Sequence, residues 1–344
     1  MKDDSAQTTQ TVNHSPYPLR AEVVQAWQEA GARFGSMQPH LLVFHSEPTE
    51  SADRLPAFDF SEWKPGVVSK LPDPGAPFAL DLDNLDATDA AMRELAGLTS
   101  LRALRLSDTK ITDAGLKELM ALKNLQILRL DDTAATDVGM KHIARLKNLQ
   151  SLFLIRVKIT DKGLEELASM KNLRKLDARF TRVTDAGIKH LAGMTNLREL
   201  ALNGRDVTDA GVQALVGLQF LEFLFLDDTL VTDQGLKAIG KLKGLESLFL
   251  AGSPLTDAGL RELNDLPHLR SLNLSRTKVI GDGFGHVAAL KRLEELHLAR
   301  TNLTSEGLSE LDKLKKLRRL NLIGVEMTKA ESERLRKALP DCEF

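Results

Sequence analysis

Cysteine occurs once in 344 residues, as Cys342 near the end of the chain, so no disulfide framework and no cysteine-based zinc site can be built. A reducing compartment fits this, and the reading is a cytoplasmic protein. Charge of one sign is also lacking: 46 Lys and Arg against 48 Asp and Glu leave a formal charge of -2. Without a chain-wide basic field, nucleic acid and anionic membranes are poor candidates for the main partner. No apolar run approaches the roughly 18 residues of a membrane span, and the opening MKDDSAQTTQTVNH has no apolar h-region. Aromatic residues make up only 5% of the chain. What is abundant is leucine, and the leucines are periodic.

Leucines stand at 101, 125, 149, 173, 197, 221, 245, 269, 293 and 317, every 24 residues with no insertion or deletion. A second register, Leu104 to Leu320, is equally unbroken, and a third, Leu106 to Leu322, is interrupted only by Ala178. The unit reads L-x-x-L-x-L-x-x-T-x-[IVL]-T-D-x-G-L-x-x-L-x-x-L-x-N. Within L-x-L the period is two, so Leu104 and Leu106 face one side of a short strand while Ala103, Arg105 and Ser107 face the other. From Gly115 to Leu122 apolar residues recur at helical spacing, and Thr112-Asp113 just before them offers a hydroxyl cap and a carboxylate for the positive helix end. One such unit buries too little to offset its own chain entropy. Stacked units bury each other's leucines.

Ten copies of this unit resemble the leucine-rich repeat family, with Thr where the generic pattern has Asn or Cys. The resemblance implies an α/β solenoid, a right-handed horseshoe with a concave parallel β-sheet and convex short helices. The Thr-Asp-Ala-Gly spelling, Glu22 to Trp27 and Trp63 to Gly66 resemble bacterial leucine-rich repeat proteins, notably those of planctomycetes. The organisation expected is a disordered tail over residues 1–15, an N-terminal helix and capping segment over 16–77, and a repeat domain over 78–344 of about eleven repeats, the last one the C-terminal cap. In the capping segment Leu55-x-x-Phe58-x-Phe60 imitates a repeat strand, with Trp63, Val67 and Leu71 to close the open end. Thr328-x-x-Glu331 spells a capping box ahead of the last helix. At Val279 to Gly283 the Thr-Asp pair is replaced by Ile-Gly, which weakens a helix start and predicts local mobility.

The motifs that could carry chemistry are weak. Gly281-Asp282-Gly283-Phe284-Gly285 has the wrong spacing for a phosphate loop, and no nucleophile elbow, H-E-x-x-H or Walker signature occurs. Asp131-Asp132 and Asp227-Asp228 lie four repeats apart, about 19 Å at sheet spacing, too far for a carboxylate dyad. They read as solvated loop acids. His142 and His190, two repeats apart, cannot share a metal. The basic run from Lys313 to Arg319 is interleaved with core leucines and reads as a solvated face. No catalytic residue, cofactor or metal site is assigned, and the reading is that the protein is not an enzyme.

The informative residues are those on the free side of the strands. Between the second and third leucines stand Arg105, Arg129, Phe153, Asp177, Ala201, Phe225, Phe249, Asn273, His297 and Asn321, which become neighbours on the sheet. Phe225 and Phe249 stack, Phe223 lies one column over, and Phe153, Ile155 and Phe180 add apolar surface nearer the N-terminal half. Exposed aromatic clusters mark partner sites, although phenylalanine is also tolerated in strands for its β-propensity. Arg129, Arg156, Arg179 and Arg205 alternate with Asp131, Asp132, Asp177, Asp227 and Asp228 as a mixed-charge rim. The function expected is therefore a non-catalytic scaffold, a monomer, binding a protein or peptide on its concave face through Phe153, Phe180, Phe223, Phe225 and Phe249 with Asp227, Asp228, Arg129, Arg156 and Arg179. Two alternatives stand beside it: a substrate-recognition subunit or effector of the F-box leucine-rich repeat type, faintly suggested by Pro18 to Val24, and an enzyme with its activity in the first 77 residues.

Overall fold

The computed structural model describes residues 19–38, 42–46 and 54–344, so the expected tail over residues 1–15 lies outside the described residues. One fourteen-stranded sheet runs the length of the molecule. Its strands are β1 (Ala32–Gln38), β2 (Val43–His45), β3 (Leu55–Phe60), β4 (Phe78–Asp81), β5 (Leu101–Arg105), β6 (Ile127–Arg129), β7 (Ser151–Phe153), β8 (Lys175–Asp177), β9 (Glu199–Ala201), β10 (Phe223–Phe225), β11 (Ser247–Phe249), β12 (Ser271–Asn273), β13 (Glu295–His297) and β14 (Arg319–Asn321). From β3 to β14 all neighbours are parallel and follow chain order, while β1 is antiparallel to β3 and to the edge strand β2. The 24-residue period is the sheet register: Leu104 pairs with Leu128, Leu128 with Leu152, and Leu296 with Leu320.

Each repeat strand is followed by a short helix such as Asp113–Glu118 or Asp137–Ile143. Strands repeat at about 4.8 Å and packed helices at about 8 to 10 Å, so a stack with strands on one side and helices on the other bends with the sheet inside. This is the horseshoe that the repeat implied. The leucines of all three registers are buried, except that Leu322 in the last turn is half-buried. The hydroxyl of the repeat's first threonine turns inward: Thr109, Thr133, Thr229, Thr277 and Thr301 donate to the carbonyl three residues back, at 2.6 to 2.8 Å.

The Thr-Asp-x-Gly spelling has a second meaning that the sequence did not disclose. Thr112 caps its helix as expected, accepting from Ala114 N at 3.3 Å. The aspartate, however, reaches across to the following repeat. Asp89 accepts Thr112 N at 2.8 Å and Thr112 Oγ1 at 2.6 Å, and the same pair of hydrogen bonds joins Asp113 to Thr136, Asp137 to Thr160, Asp161 to Thr184, Asp185 to Thr208, Asp209 to Thr232 and Asp233 to Thr256. The glycine makes room for it: a Cβ on Gly115 or Gly139 would stand 2.5 Å from the Oδ1 of Asp89 or Asp113. Asp257 ends the series, because Ile280-Gly281 offers it no threonine. It accepts the amides of Ile280, Gly281 and Gly283 instead, at 2.8 to 2.9 Å. A parallel series of amides, Asn124, Asn148, Asn172 and Asn196, donates to carbonyls of the preceding repeat at 2.8 to 3.0 Å.

Both ends of the array are closed. Helix α1 (Ala21–Glu29) buries Val23 and Trp27. Trp27 stacks on Phe58 at 4.5 Å, meets Phe78 edge-on at 5.8 Å and donates Nε1–H to Pro72 O at 3.0 Å. The centre of the plug is thus Trp27 with Val68; of the residues expected to do this work, Trp63 and Leu71 pack against the same core while half-buried, and Val67 is half-buried. The hydrophobic core is continuous from Leu19 to Leu339. At the other end the capping box forms, with Glu331 N donating to Thr328 Oγ1 at 3.2 Å and Thr328 N to the Glu331 carboxylate at 2.7 Å. The backbone of Glu343 then pairs with β14 and covers the last open edge: Leu320 N donates to Glu343 O at 2.8 Å.

Candidate functional site on the concave face

The residues between the second and third leucines line up as neighbours on the free side of the sheet: Arg129, Phe153, Asp177, Ala201, Phe225, Phe249, Asn273, His297 and Asn321 pair in that order. Phe225 and Phe249 stack, with ring centroids 4.6 Å apart and planes within 11°. Both are half-buried, as is Phe223. The three stand where the repeat requires no packing.

The N-terminal half of the same face is different. A second hydrophobic cluster joins Met37 and Leu42, with Phe44 and Leu55, to the small residues Ala57, Ala79 and Ala103 and to Ile127 and Phe153. The β1–β2 hairpin therefore folds over the concave side and roofs it. Gly35 permits this, since a Cβ there would fall on the carbonyl of His45. Phe153, expected to be exposed, is only 5% exposed and belongs to this cluster. Its ring lies between Arg129 and Lys175, each cation 4.9 Å from the centroid. The reason is compositional: β4 and β5 present alanine on their outer side, a floor onto which a hairpin can pack.

The expected rim is also more self-contained than its exposure on paper suggested. Arg129 pairs with Asp131 at 2.8 Å, Arg179 with Asp177 at 2.6 Å and Arg156 with Asp132, so three of the four expected arginines already have an internal partner, while Arg205 is exposed. Asp131 and Asp227 are not solvated loop acids. Asp131 is buried and accepts Ile155 N at 2.8 Å, and Asp227 is half-buried and accepts Ala251 N at 2.7 Å. Burial pushes both carboxyls above the usual carboxylate range, against the pull of those amides. Asp228 is exposed and forms a two-pronged pair with Arg276 at 2.9 and 3.2 Å.

Phe180 is 55% exposed and adopts φ +57°, a left-handed conformation shared by its counterparts in other repeats, among them Asn84, Asp132 and Asp228. Phe220, 59% exposed on the turn before β10 with Arg198 over its ring, escaped the sequence reading because it lies outside the L-x-L strand. Between the hairpin and the sheet lies an open cleft of about 560 Å³, lined in part by Arg33, Asp59, Asp81, Asp83 and Arg105. Arg105 holds both Asp81, at 2.7 Å, and Asp83. Burial drives the Asp81 carboxyl up to about 6, Arg105 opposing and Asp83 assisting. Among the described residues no group of three or more His, Cys, Asp or Glu is placed to hold a metal, and no helix is long and apolar enough to cross a membrane.

Comparison with known proteins agrees with the geometry. A family model described as a leucine-rich repeat region matches residues 79–226, and a second, described as a leucine-rich repeat, matches 265–283 and 291–311. Among solved structures, an internalin (inlF) of Listeria monocytogenes is similar, with a TM-score of 0.64 and 23% identity over 83% of this chain and 78% of that one. The octameric complex of Latrophilin 3, Unc5D and FLRT2, the last with its leucine-rich repeats, contains a chain with a TM-score of 0.52 and 22% identity over 73% of this chain and 76% of that one. Likeness at this identity speaks for the fold. No curated protein matches the sequence. With family matches over more than half its length and a sheet whose register is the 24-residue period, the chain belongs to the leucine-rich repeat family.

Proposed function

We propose that the protein is a non-catalytic scaffold, a cytoplasmic monomer, that binds a protein or peptide partner on the uncovered C-terminal part of its concave face. The observation that carries this reading is the Phe225–Phe249 stack with Phe223 beside it, three half-buried aromatic side chains on the side of the sheet that the core does not use. Large apolar surface left accessible in this way is a feature of docking sites. Residues Phe223, Phe225, Phe249, Asp227 and Asp228 form the proposed site; Phe180 is an outlying contact, and Phe153 supports the sheet. A leucine-rich repeat protein also takes part in the multi-protein assembly of Latrophilin 3, Unc5D and FLRT2.

Selection of a random peptide library on the full chain tests the proposal. Enriched peptides are expected to lose binding to an F225S/F249S variant that keeps its thermal midpoint. Peptides that bind the variant and the parent equally would move the site off this face.

A further inference from the structure

The outward carboxylates of the sheet follow a rule with one exception. Asp83, Asp131 and Asp227 stand 48 and 96 residues apart in the same column, and each accepts the backbone N–H of the next repeat, from Ser107, Ile155 and Ala251, at 2.7 to 2.8 Å. Two of the three also have a cation. Asp83 takes Arg105 from the following repeat, and Asp131 takes Arg129 from its own. These are the two places from which a side chain of the central row reaches this column. For Asp227 the residue of its own repeat is Phe225 and that of the following repeat is Phe249. Both places are aromatic.

Asp227 forms no ion pair within 4.0 Å among the described residues, and its neighbour Arg276 is already held by both oxygens of Asp228. Ala251 N–H and the Asn203 side chain are the hydrogen-bond partners that remain to it. A half-buried carboxylate that feels Arg276 only at a distance and has no ion pair of its own is costly, and burial outweighs that attraction in holding this carboxyl above the ordinary range. Beside it lie two parallel rings over which no cation of the described residues sits, whereas Phe153 in the same row carries Arg129 and Lys175 at 4.9 Å. One ring of this row thus holds cations, and over the Phe225–Phe249 pair none of the described residues supplies one.

We infer that the partner supplies it: an arginine side chain whose guanidinium lies against the Phe225–Phe249 pair and bonds to Asp227. This rests on the concave-face reading above and adds the chemistry of the occupant. Arginine fits better than lysine, because a planar guanidinium can stack on a ring and donate in its plane at the same time. The peptide that docks here carries that arginine among apolar residues able to cover Phe223.

The peptides selected on the full chain decide the matter. Enriched sequences are expected to contain arginine, and replacing it with the neutral isostere citrulline is expected to weaken binding about 10- to 100-fold, as loss of a charged hydrogen bond does. D227N is expected to cost a similar factor, with the citrulline peptide losing nothing further on that variant. Peptides that fail on F225S/F249S but are indifferent to D227N and to citrulline overturn the guanidinium and leave the concave face as the site. Replacement by lysine without loss overturns the preference for arginine. An empty selection, or peptides that F225S/F249S retains, overturns both readings.

Discussion

Removal of a single aspartate from the middle of the solenoid discriminates between two roles for the Thr-Asp pair. Asp161 begins its own helix, where a carboxylate interacting with the helix dipole is worth about 0.3 to 1 kcal/mol. It also accepts Thr184 N at 2.7 Å and Thr184 Oγ1 at 2.8 Å from the next repeat. Hydrogen bonds to a charged group contribute roughly 1.5 to 3 kcal/mol each, and Asp161 is half-buried, so the low end applies and the two bonds together are worth about 3 kcal/mol. D161A is therefore expected to destabilise the interface between these repeats by about 3 kcal/mol, well above a dipole effect alone. Global melting is a poor readout in an array that need not unfold in one step. Native-state hydrogen exchange at the Thr184 amide and in the flanking repeats reads the local loss directly. In a double-mutant cycle with T184V, the two substitutions are expected to couple by about 1 to 2 kcal/mol. A D161A cost below about 1 kcal/mol with additive behaviour would refute the inter-repeat role.

Three further outcomes are expected. Between the usual carboxylate value of 3.8 and about 6 the native state keeps a proton on Asp81 that the unfolded chain has lost, so this group makes stability fall as pH rises through that window. The fall is about 3 kcal/mol at most, and urea unfolding at both ends of the window is expected to show a shallower slope in D81N; equal slopes would contradict it. G35A places a Cβ on the His45 carbonyl and 2.8 Å from the Phe44 ring, so β2 must lift from the sheet. A loss of about 1 to 3 kcal/mol and new proteolytic cleavage at residues 42–46 are expected, and an unchanged cleavage pattern would mean the hairpin can shift without opening. Phe180 holds φ +57° without the glycine or short polar side chain that tolerates it, so F180N is expected to raise stability by about 1 kcal/mol in thermal unfolding. A lower midpoint would show that the ring's own contacts outweigh its backbone cost.

The lattice was legible because leucine spacing and strand register are the same quantity: Leu104 against Leu128 follows from the number 24 alone. So was the adjacency of Phe225 and Phe249. What escaped were interactions between a residue and its counterpart one repeat on. Asp113 reads locally as a helix-start residue, and nothing in its own repeat announces that it also holds Thr136. The glycine of the next repeat, Gly139, carried that signal, since no turn or left-handed angle explains it and the neighbouring Asp113 does. The roof over the N-terminal half escaped for another reason. Ala79, Ala103 and Ile127 on the outer side form an apolar floor, but one hairpin from outside the repeats decides whether such a floor is covered. Phe153 belongs to that floor and Phe225 does not, although both occupy the same position in the repeat.

The series of aspartate–threonine bonds stops at Asp257, and beyond it the chain from Ile280 onward joins its neighbour through leucine burial, strand pairing and the amides that Asp257 accepts. A linear array parts where adjoining units grip each other least. Asp257 still holds its neighbour through three amides, but Gly281 stands where an aspartate would hold Thr304. Load or denaturant is therefore expected to part the array between the repeats of Gly281 and Thr304 and to peel away the turns on the C-terminal side while the stretch holding Phe225 and Phe249 stays wound. The proposed docking surface and the expected seam thus occupy separate lengths of one spring.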